Sequence, residues 1–410
     1  MIWRTAYVAA LISVLATQAF GAPAVPVHWV QLGPGGAAEL RVVTSAVQCP
    51  AAVIDGAQYR LAERAAPDTS FARICAVTIP SGARNAGLDR VPVPLPKPAP
   101  DRILVIGDTG CRIQGSNTQE CDDPEKWPFA NIAAEAAMLN PDLVIHVGDY
   151  DYRESPCPIG NSGCAGSLWG DNWASWNADF FTPATPLLST APFLFVRGNH
   201  EECSRFGPGW LRLLGPLSFA AGGPCAEHIA PYAVALKGMT LAVLDDANAP
   251  DVNAPRNLVQ VYRGDFAALN QMQGPVWLLG HRPLSGYVRL PPGISAGGNQ
   301  TLLMAMLDDG FPQNVELMLS GHIHAFEAIN YAGKVPPQLI AGNSGTKLDN
   351  APTDLSGINI GGLPVASGIT LPGFGYLLLT RSAPGWKVDV YDVHGVLART
   401  CNFSARRLAC

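Results

Sequence analysis

The sequence carries little charge and no run of it. Asp, Glu, Lys and Arg make up 15% of the chain, the net charge is -6, and Lys and Arg are nowhere clustered. Bulk electrostatics therefore give no support to nucleic acid or an anionic membrane as the main partner. Cys-x-x-Cys pairs are absent, and with them the ligand spacing of structural zinc clusters. No internal repeat or low-complexity tract stands out, which argues against a solenoid. Past the N-terminus, no uninterrupted apolar stretch approaches the ~20 residues that span a bilayer. What remains is ordinary globular composition, 48% hydrophobic over 410 residues. That is enough for one large α/β core with a smaller domain beside it.

Residues 1–21 read as a secretory signal peptide. Arg4 supplies a positive charge, an apolar run extends from Thr5 to about Ala16, and Ala19-Phe20-Gly21 offers small residues for cleavage before Ala22. The mature protein is expected to be soluble and exported, periplasmic or secreted, without a stable membrane anchor. The ten cysteines fit an oxidising compartment and therefore disulfides. Sequence alone does not fix connectivity. Nearest neighbours pair as Cys49–Cys75, Cys111–Cys121, Cys157–Cys164, Cys203–Cys225 and Cys401–Cys410.

Residues 22–100 read as a small β domain with a linker. Short apolar segments at 39–43, 57–61 and 74–79 alternate with turn residues. Five prolines between Val91 and Pro100 then make a stiff, extended connection. From residue 101 to 400 the pattern becomes α/β, and residues 401–410 read as a C-terminal tail. Buried-strand runs occur at 103–106, 143–147, 193–196, 276–279 and 317–319, with a helix-compatible stretch at 130–139. Each strand run ends on a polar element: Gly107-Asp108, Gly148-Asp149, Gly198-Asn199-His200, Gly280-His281 and Gly321-His322. Ligands of open α/β sheets bind outside the carboxyl ends of strands, so the recurrence gathers five dipeptides into one site.

Asp108, Asp149, Tyr152, Asn199, His200, His281, His322 and His324 form a mixed oxygen and nitrogen set suited to Fe, Mn or Zn. A lone Gly-Asp would more often cap a helix or bond its own backbone. The ordered series is the stronger signal. Two metals ~3.5–4 Å apart need a bridging carboxylate and several private ligands each, and this set is large enough for both.

The series Gly107-Asp108-Thr109-Gly110, Gly148-Asp149-Tyr150-Asp151-Tyr152, Gly198-Asn199-His200-Glu201, Gly280-His281 and Gly321-His322-Ile323-His324 resembles the calcineurin-like metallophosphoesterase superfamily, with purple acid phosphatases as the nearest pattern. Most members of the superfamily carry Asp-x-His in the first element. Here that position is Gly110. Purple acid phosphatases also lack that His and use a tyrosine from a Gly-Asp-x-x-Tyr element, which Tyr152 matches. The resemblance implies a four-layer α/β/β/α sandwich of mixed sheets, beside the small N-terminal β domain. It places Asp108, Tyr152 and His324 on an Fe(III) ion, Asp149 as the bridge, and Asn199, His281 and His322 on a second ion, Fe, Zn or Mn. It further implies hydrolysis of a small phosphate ester by a metal-bound hydroxide, with His200 protonating the leaving group.

One departure stands out. The family offers phosphate-touching histidines between the fourth and fifth elements, and this chain has none between His281 and His322. Arg282, Tyr287 and Arg289 lie there as alternative phosphate binders, with Arg153 and Arg197 similarly placed beside site elements. His146, inside a strand, reads as a core residue. His28, His228 and His394 have no motif context. Trp169, Trp173 and Trp176 read as one helical face, more often core than a substrate platform. Two other readings stay open: a phosphodiesterase on the same core, and a non-catalytic envelope binding protein on the same scaffold.

Overall fold

A computed structural model describes residues 26–220, 222–290, 293–296, 298–307, 310–359 and 362–410. The signal-peptide reading of residues 1–21 lies outside them. The expected strands all form. Arg102–Ile106, Leu143–His146 and Phe193–Phe195 run parallel in register, with Ile106 beside His146 and His146 beside Phe195. Met239–Val243, Val276–Leu279 and Val315–Ser320 form a second parallel set. Parallel strands share one carboxyl edge, so the loops that follow them converge there.

Two large sheets result, of eleven and seven strands. Side chains alternate between faces along each strand. Ile103 and Val105 point into the core between the sheets, while Leu104 and Ile106 point to the opposite face. In the second sheet, Trp277 and Leu279 share that central core, while Val276 and Leu278 face outward. Helices cover both outer faces. Phe129–Met138 buries Phe129, Ile132, Ala133 and Ala136, the 3–4 spacing of one helical stripe, against the larger sheet. Arg256–Leu269 and Gln300–Leu307 do the same for the smaller sheet. The expected four-layer α/β/β/α sandwich is present.

The N-terminal β region is present, but most of it is not set apart. His28–Leu32 pairs in parallel with Phe193–Phe195, and Ala38–Thr44, Arg73–Ile79 and Ala62–Ala65 continue the larger sheet from there. Val30, Leu40 and Val42 belong to the central core, and the ring of Trp29 lies 4.8 Å from that of Phe181. Phe193–Phe195 would otherwise expose an unpaired edge deep in the fold, and His28–Leu32 covers it. A separate four-stranded sheet takes up Ala51–Ile54, Ala57–Arg60, Ala86–Leu88 and Val91–Pro92. The expected C-terminal tail is likewise sheet: Leu397–Ser404 and Arg407–Ala409 form the opposite edge. All five neighbour-paired disulfides form.

Candidate metal centre

The loops at the shared edge are tightly held. Asp108, Asp149 and His322 each adopt left-handed backbone conformations, with φ of 54°, 61° and 71°. Such conformations are costly for a residue with a β-carbon and tend to gather at functional sites. Gly198 makes room for the neighbouring carboxylate: a β-carbon there would collide with Asp149 Oδ1. Beneath the loops, the buried Glu201 carboxylate accepts from the backbone N–H of Asp149 (3.1 Å), Tyr150 (2.8 Å) and Gly198 (3.1 Å). Burial, with Asp149 adding its charge, pushes the Glu201 carboxyl up to about 8. Replacing Glu201 with Ala would leave those three donors without their acceptor. It is expected to destabilise the fold by about 3 kcal/mol or more, measured as the shift in thermal unfolding of the variant against the wild type.

The predicted ligands come together. Donor atoms of Asp108, Asp149 and His281 lie within 4.8 Å of one another. Tyr152 Oη stands 2.9 Å from Asp108 Oδ1, 2.7 Å from Asp149 Oδ2 and 3.2 Å from His324 Nε2. One phenolic proton cannot serve both carboxylates. On the other side, Asn199 Oδ1 lies 3.0 Å from His281 Nε2 and 2.7 Å from His322 Nδ1. His281 Nε2 is also 3.2 Å from Asp149 Oδ2.

The far nitrogen of each imidazole is held by an oxygen. His281 Nδ1 pairs with the carbonyl of Val147 (2.8 Å), His322 Nε2 with Asp251 Oδ2 (3.0 Å) and His324 Nδ1 with the carbonyl of Lys347 (2.9 Å). Holding a proton on the outer nitrogen turns the inner lone pair toward the cluster, the usual support of a ligating histidine. Three imidazole lone pairs, two carboxylates, a phenol and an amide oxygen thus converge on one small volume. This donor set fits cations of the Fe, Mn or Zn type.

The electrostatics agree. Burial pushes the Asp108 carboxyl well above its usual range, and the neighbouring Asp149 charge adds to that. Burial opposes charge on His281, yet Asp149 and Asp108 push it up to about 10. Positive charge is favoured where these side chains meet. Gly110 shows why no histidine stands in the first element. A β-carbon there would lie 2.6 Å from Asp179 Oδ2 and 2.8 Å from Tyr152 Cδ2, so the tyrosine ring fills the room beside it.

His200 is buried, with its ring centroid 3.8 Å from that of Tyr152. Its backbone N–H donates to Asp149 Oδ1 at 2.9 Å, and its Nδ1 lies 2.7 Å from Glu154 Oε1. Burial lowers its pKa to about 4. His146 is the expected core residue, 2.9 Å from Thr109 Oγ1 and stacked on Tyr150.

The proposed phosphate binders fare unevenly. Arg282 lies at the site, but its guanidinium is engaged by Asp251 (2.7 Å) and the carbonyl of Ala247 (3.2 Å). Tyr287 is wholly buried and its hydroxyl accepts from Ser285 Oγ at 2.9 Å, so it is a packing residue rather than a substrate contact. Arg153 is buried on Asp179 (2.7 Å), and Arg197 on the carbonyl of Glu201 (2.7 Å). Arg289 is exposed on the hairpin of Tyr287–Leu290 and Gly293–Ala296. The tryptophans do not share one face. Trp173 and Trp176 begin and end a single helical turn, with Trp176 buried, while Trp169 precedes it and is half exposed.

Sequence reasoning missed several supports. Asp246 accepts from the backbone N–H of His281 (2.9 Å) and Arg282 (3.1 Å), fixing the fourth element. It follows Met239–Val243, so the strand-then-polar rule that found the other elements would have found it too. Asp251, Glu154 and Asp179 sit in loops or irregular turns and carried no such signal. Asp179 joins the first two elements by accepting from Cys111 N and Tyr152 N, each at 2.9 Å.

A family model described as calcineurin-like phosphoesterase matches residues 101–326, more than half the chain. Among solved structures, the chain resembles a purple acid phosphatase, PPD1, from yellow lupin (Lupinus luteus) seeds. The identity is 13% over 91% of this chain and 73% of that one, with a TM-score of 0.56. It also resembles the structure of PhoD, at 11% identity over 96% of this chain and 94% of that one, with a TM-score of 0.54. At such identities the likeness is one of fold. No curated protein matches the sequence significantly. The family match spans every loop that carries a predicted ligand, from Asp108 to His324, and the chain belongs to the calcineurin-like phosphoesterases.

Proposed function

We propose that the chain is an exported, dinuclear-metal phosphoesterase acting on small phosphomonoesters in the manner of purple acid phosphatases. The observation that carries this reading is the position of Tyr152 Oη, between Asp108, Asp149 and His324 in the room beside Gly110. Asp108, Tyr152 and His324 would hold Fe(III), for which a phenolate is a hard anionic donor. Asp149 would bridge, and Asn199, His281 and His322 would hold Fe, Zn or Mn. Two cations held by these residues would supply a lowered pKa for bound water and neutralisation of charge on the phosphoryl oxygens. The chain's own part is to hold seven donors in place and to present His200 to the leaving group. The five disulfides support export, since such bonds persist in oxidising compartments.

The test is metal content and the visible spectrum of protein purified from an oxidising compartment. Iron near one per chain, a broad visible band, and loss of that band in Tyr152→Phe are the expected results. Retention of the colour in Tyr152→Phe would remove the tyrosine from the iron. Two divalent ions without colour would keep the phosphoesterase reading and end the comparison with purple acid phosphatases.

A further inference from the structure

The arginines that touch the ligand cluster or its loops differ in what engages them. Arg282 is tied to Asp251 and the Ala247 carbonyl, Arg205 to Glu154, Arg153 to Asp179, and Arg197 to the Glu201 carbonyl. Arg112 is the exception. Its Cζ lies 4.7 Å from the centroid of the Tyr152 ring, and its side chain is partly open to solvent. Among the described residues, its guanidinium makes no hydrogen bond or ion pair. The four arginines just named each find an acceptor, so an arginine held over a ligand ring without one has its donors available to something else.

The backbone that carries Arg112 is fixed from both sides. Its N–H donates to Gln119 Oε1 at 3.2 Å and its carbonyl accepts from Gln119 N at 2.7 Å. Gln119 is in turn anchored through Nε2 on the carbonyl of Gly345 at 2.8 Å. The neighbouring Cys111 closes the loop through its disulfide to Cys121. The base of the side chain is therefore set in place before any ligand arrives, which lowers the ordering cost of binding. Arg112 lies on the Tyr152 and His324 side of the cluster, whereas Arg282 and Asp251 lie on the His322 side.

Resting on the phosphoesterase reading, we infer that Arg112 binds the phosphoryl group of the substrate and sets a preference for monoesters. A monoester at neutral pH carries two negative charges shared over three non-bridging oxygens; a diester has one charge and two such oxygens. A planar cationic fork over the Tyr152 ring, at the edge of the cluster, has the most to gain from the extra anionic oxygen. It also stands in for the phosphate-touching histidines that this chain lacks between His281 and His322.

The experiment compares wild type, Arg112→Ala and Arg112→Lys as metal-loaded proteins. It measures kcat and KM on p-nitrophenyl phosphate and on bis(p-nitrophenyl) phosphate, and the affinity for orthophosphate by calorimetry. Arg112→Ala is expected to raise the monoester KM and weaken orthophosphate roughly 10- to 100-fold, with the diester changed about threefold or less. Arg112→Lys should recover part of the loss. Metal content should match the wild type in both. Orthophosphate affinity within twofold of wild type in Arg112→Ala would overturn the inference, as would equal losses on both substrates. A fall in metal content would also overturn it, by making Arg112 a support for Tyr152. Failure of the wild type on both esters would count against the phosphoesterase reading instead, and the orthophosphate comparison would still judge Arg112.

Discussion

Asp149→Asn is expected to lose hydrolysis by about 10³-fold or more and to bind less metal than the wild type. Asp149 meets side-chain atoms from both halves of the cluster. Its Oδ2 meets Tyr152 Oη at 2.7 Å on one side and His281 Nε2 at 3.2 Å on the other. Losing its charge therefore weakens both proposed metal positions at once, and each cation contributes several kcal/mol to the transition state, at about 1.4 kcal/mol per tenfold in rate. Asn is the informative replacement. It keeps the shape of Asp and tolerates the left-handed backbone, with φ 61°, that this position requires. A chelator should reproduce the loss in wild type, and added metal should reverse it there but not in the variant. Metal content and activity within tenfold of wild type in Asp149→Asn would remove the bridging role.

The place of the site was legible because carboxylates and histidines at strand ends repeat a simple pattern, whereas the bridging role came only with the family resemblance. Asp108, Asp149, Asn199, His281 and His322 each follow a short apolar run. The parallel register of those runs brings the five loops to one edge. The unbroken apolar run Ile103–Ile106 likewise announced a strand buried on both faces, which a four-layer sandwich supplies. Disulfide pairing followed sequence proximity because each bridge closes a local loop or joins nearby strands.

Other features had no local signature. Whether His28–Leu32 starts a separate domain or prolongs the main sheet depends on its pairing with Phe193–Phe195, far away in the chain. Tyr287 and Arg282 were close in sequence to His281, but strand direction sends the tyrosine inward to Ser285. Arg112 was overlooked for the opposite reason. It lies in a cysteine-bounded loop with no periodicity, and only the fold sets it above Tyr152. The acids that orient the histidines, Asp251 for His322 and Glu154 for His200, are equally matters of tertiary position.

His200→Ala separates the chemistry of the leaving group from the holding of the metals. In the wild type, Glu154 lies 2.7 Å from His200 Nδ1 and fixes the ring; Nε2 faces Arg205 Nη2 at 3.3 Å and would exchange that contact for the proton it carries toward substrate. An alkyl phosphate needs that proton, because an alkoxide leaves poorly, whereas p-nitrophenolate leaves without one. Hydrolysis of an alkyl ester such as glycerol phosphate should fall ~10²–10⁴-fold, and that of p-nitrophenyl phosphate about tenfold or less. The pH dependence follows from burial. With its pKa lowered to about 4, His200 is neutral at pH 7, and its protonated fraction rises as pH falls toward 4. The ratio of wild-type to variant rates on the alkyl ester should therefore grow on acidification and shrink toward neutrality. His200 also lies against the Tyr152 ring, and a purely structural role there would predict something different. Both substrates would then slow equally, the ratio would stay flat with pH, and metal content would drop. That outcome would move His200 from proton donor to support.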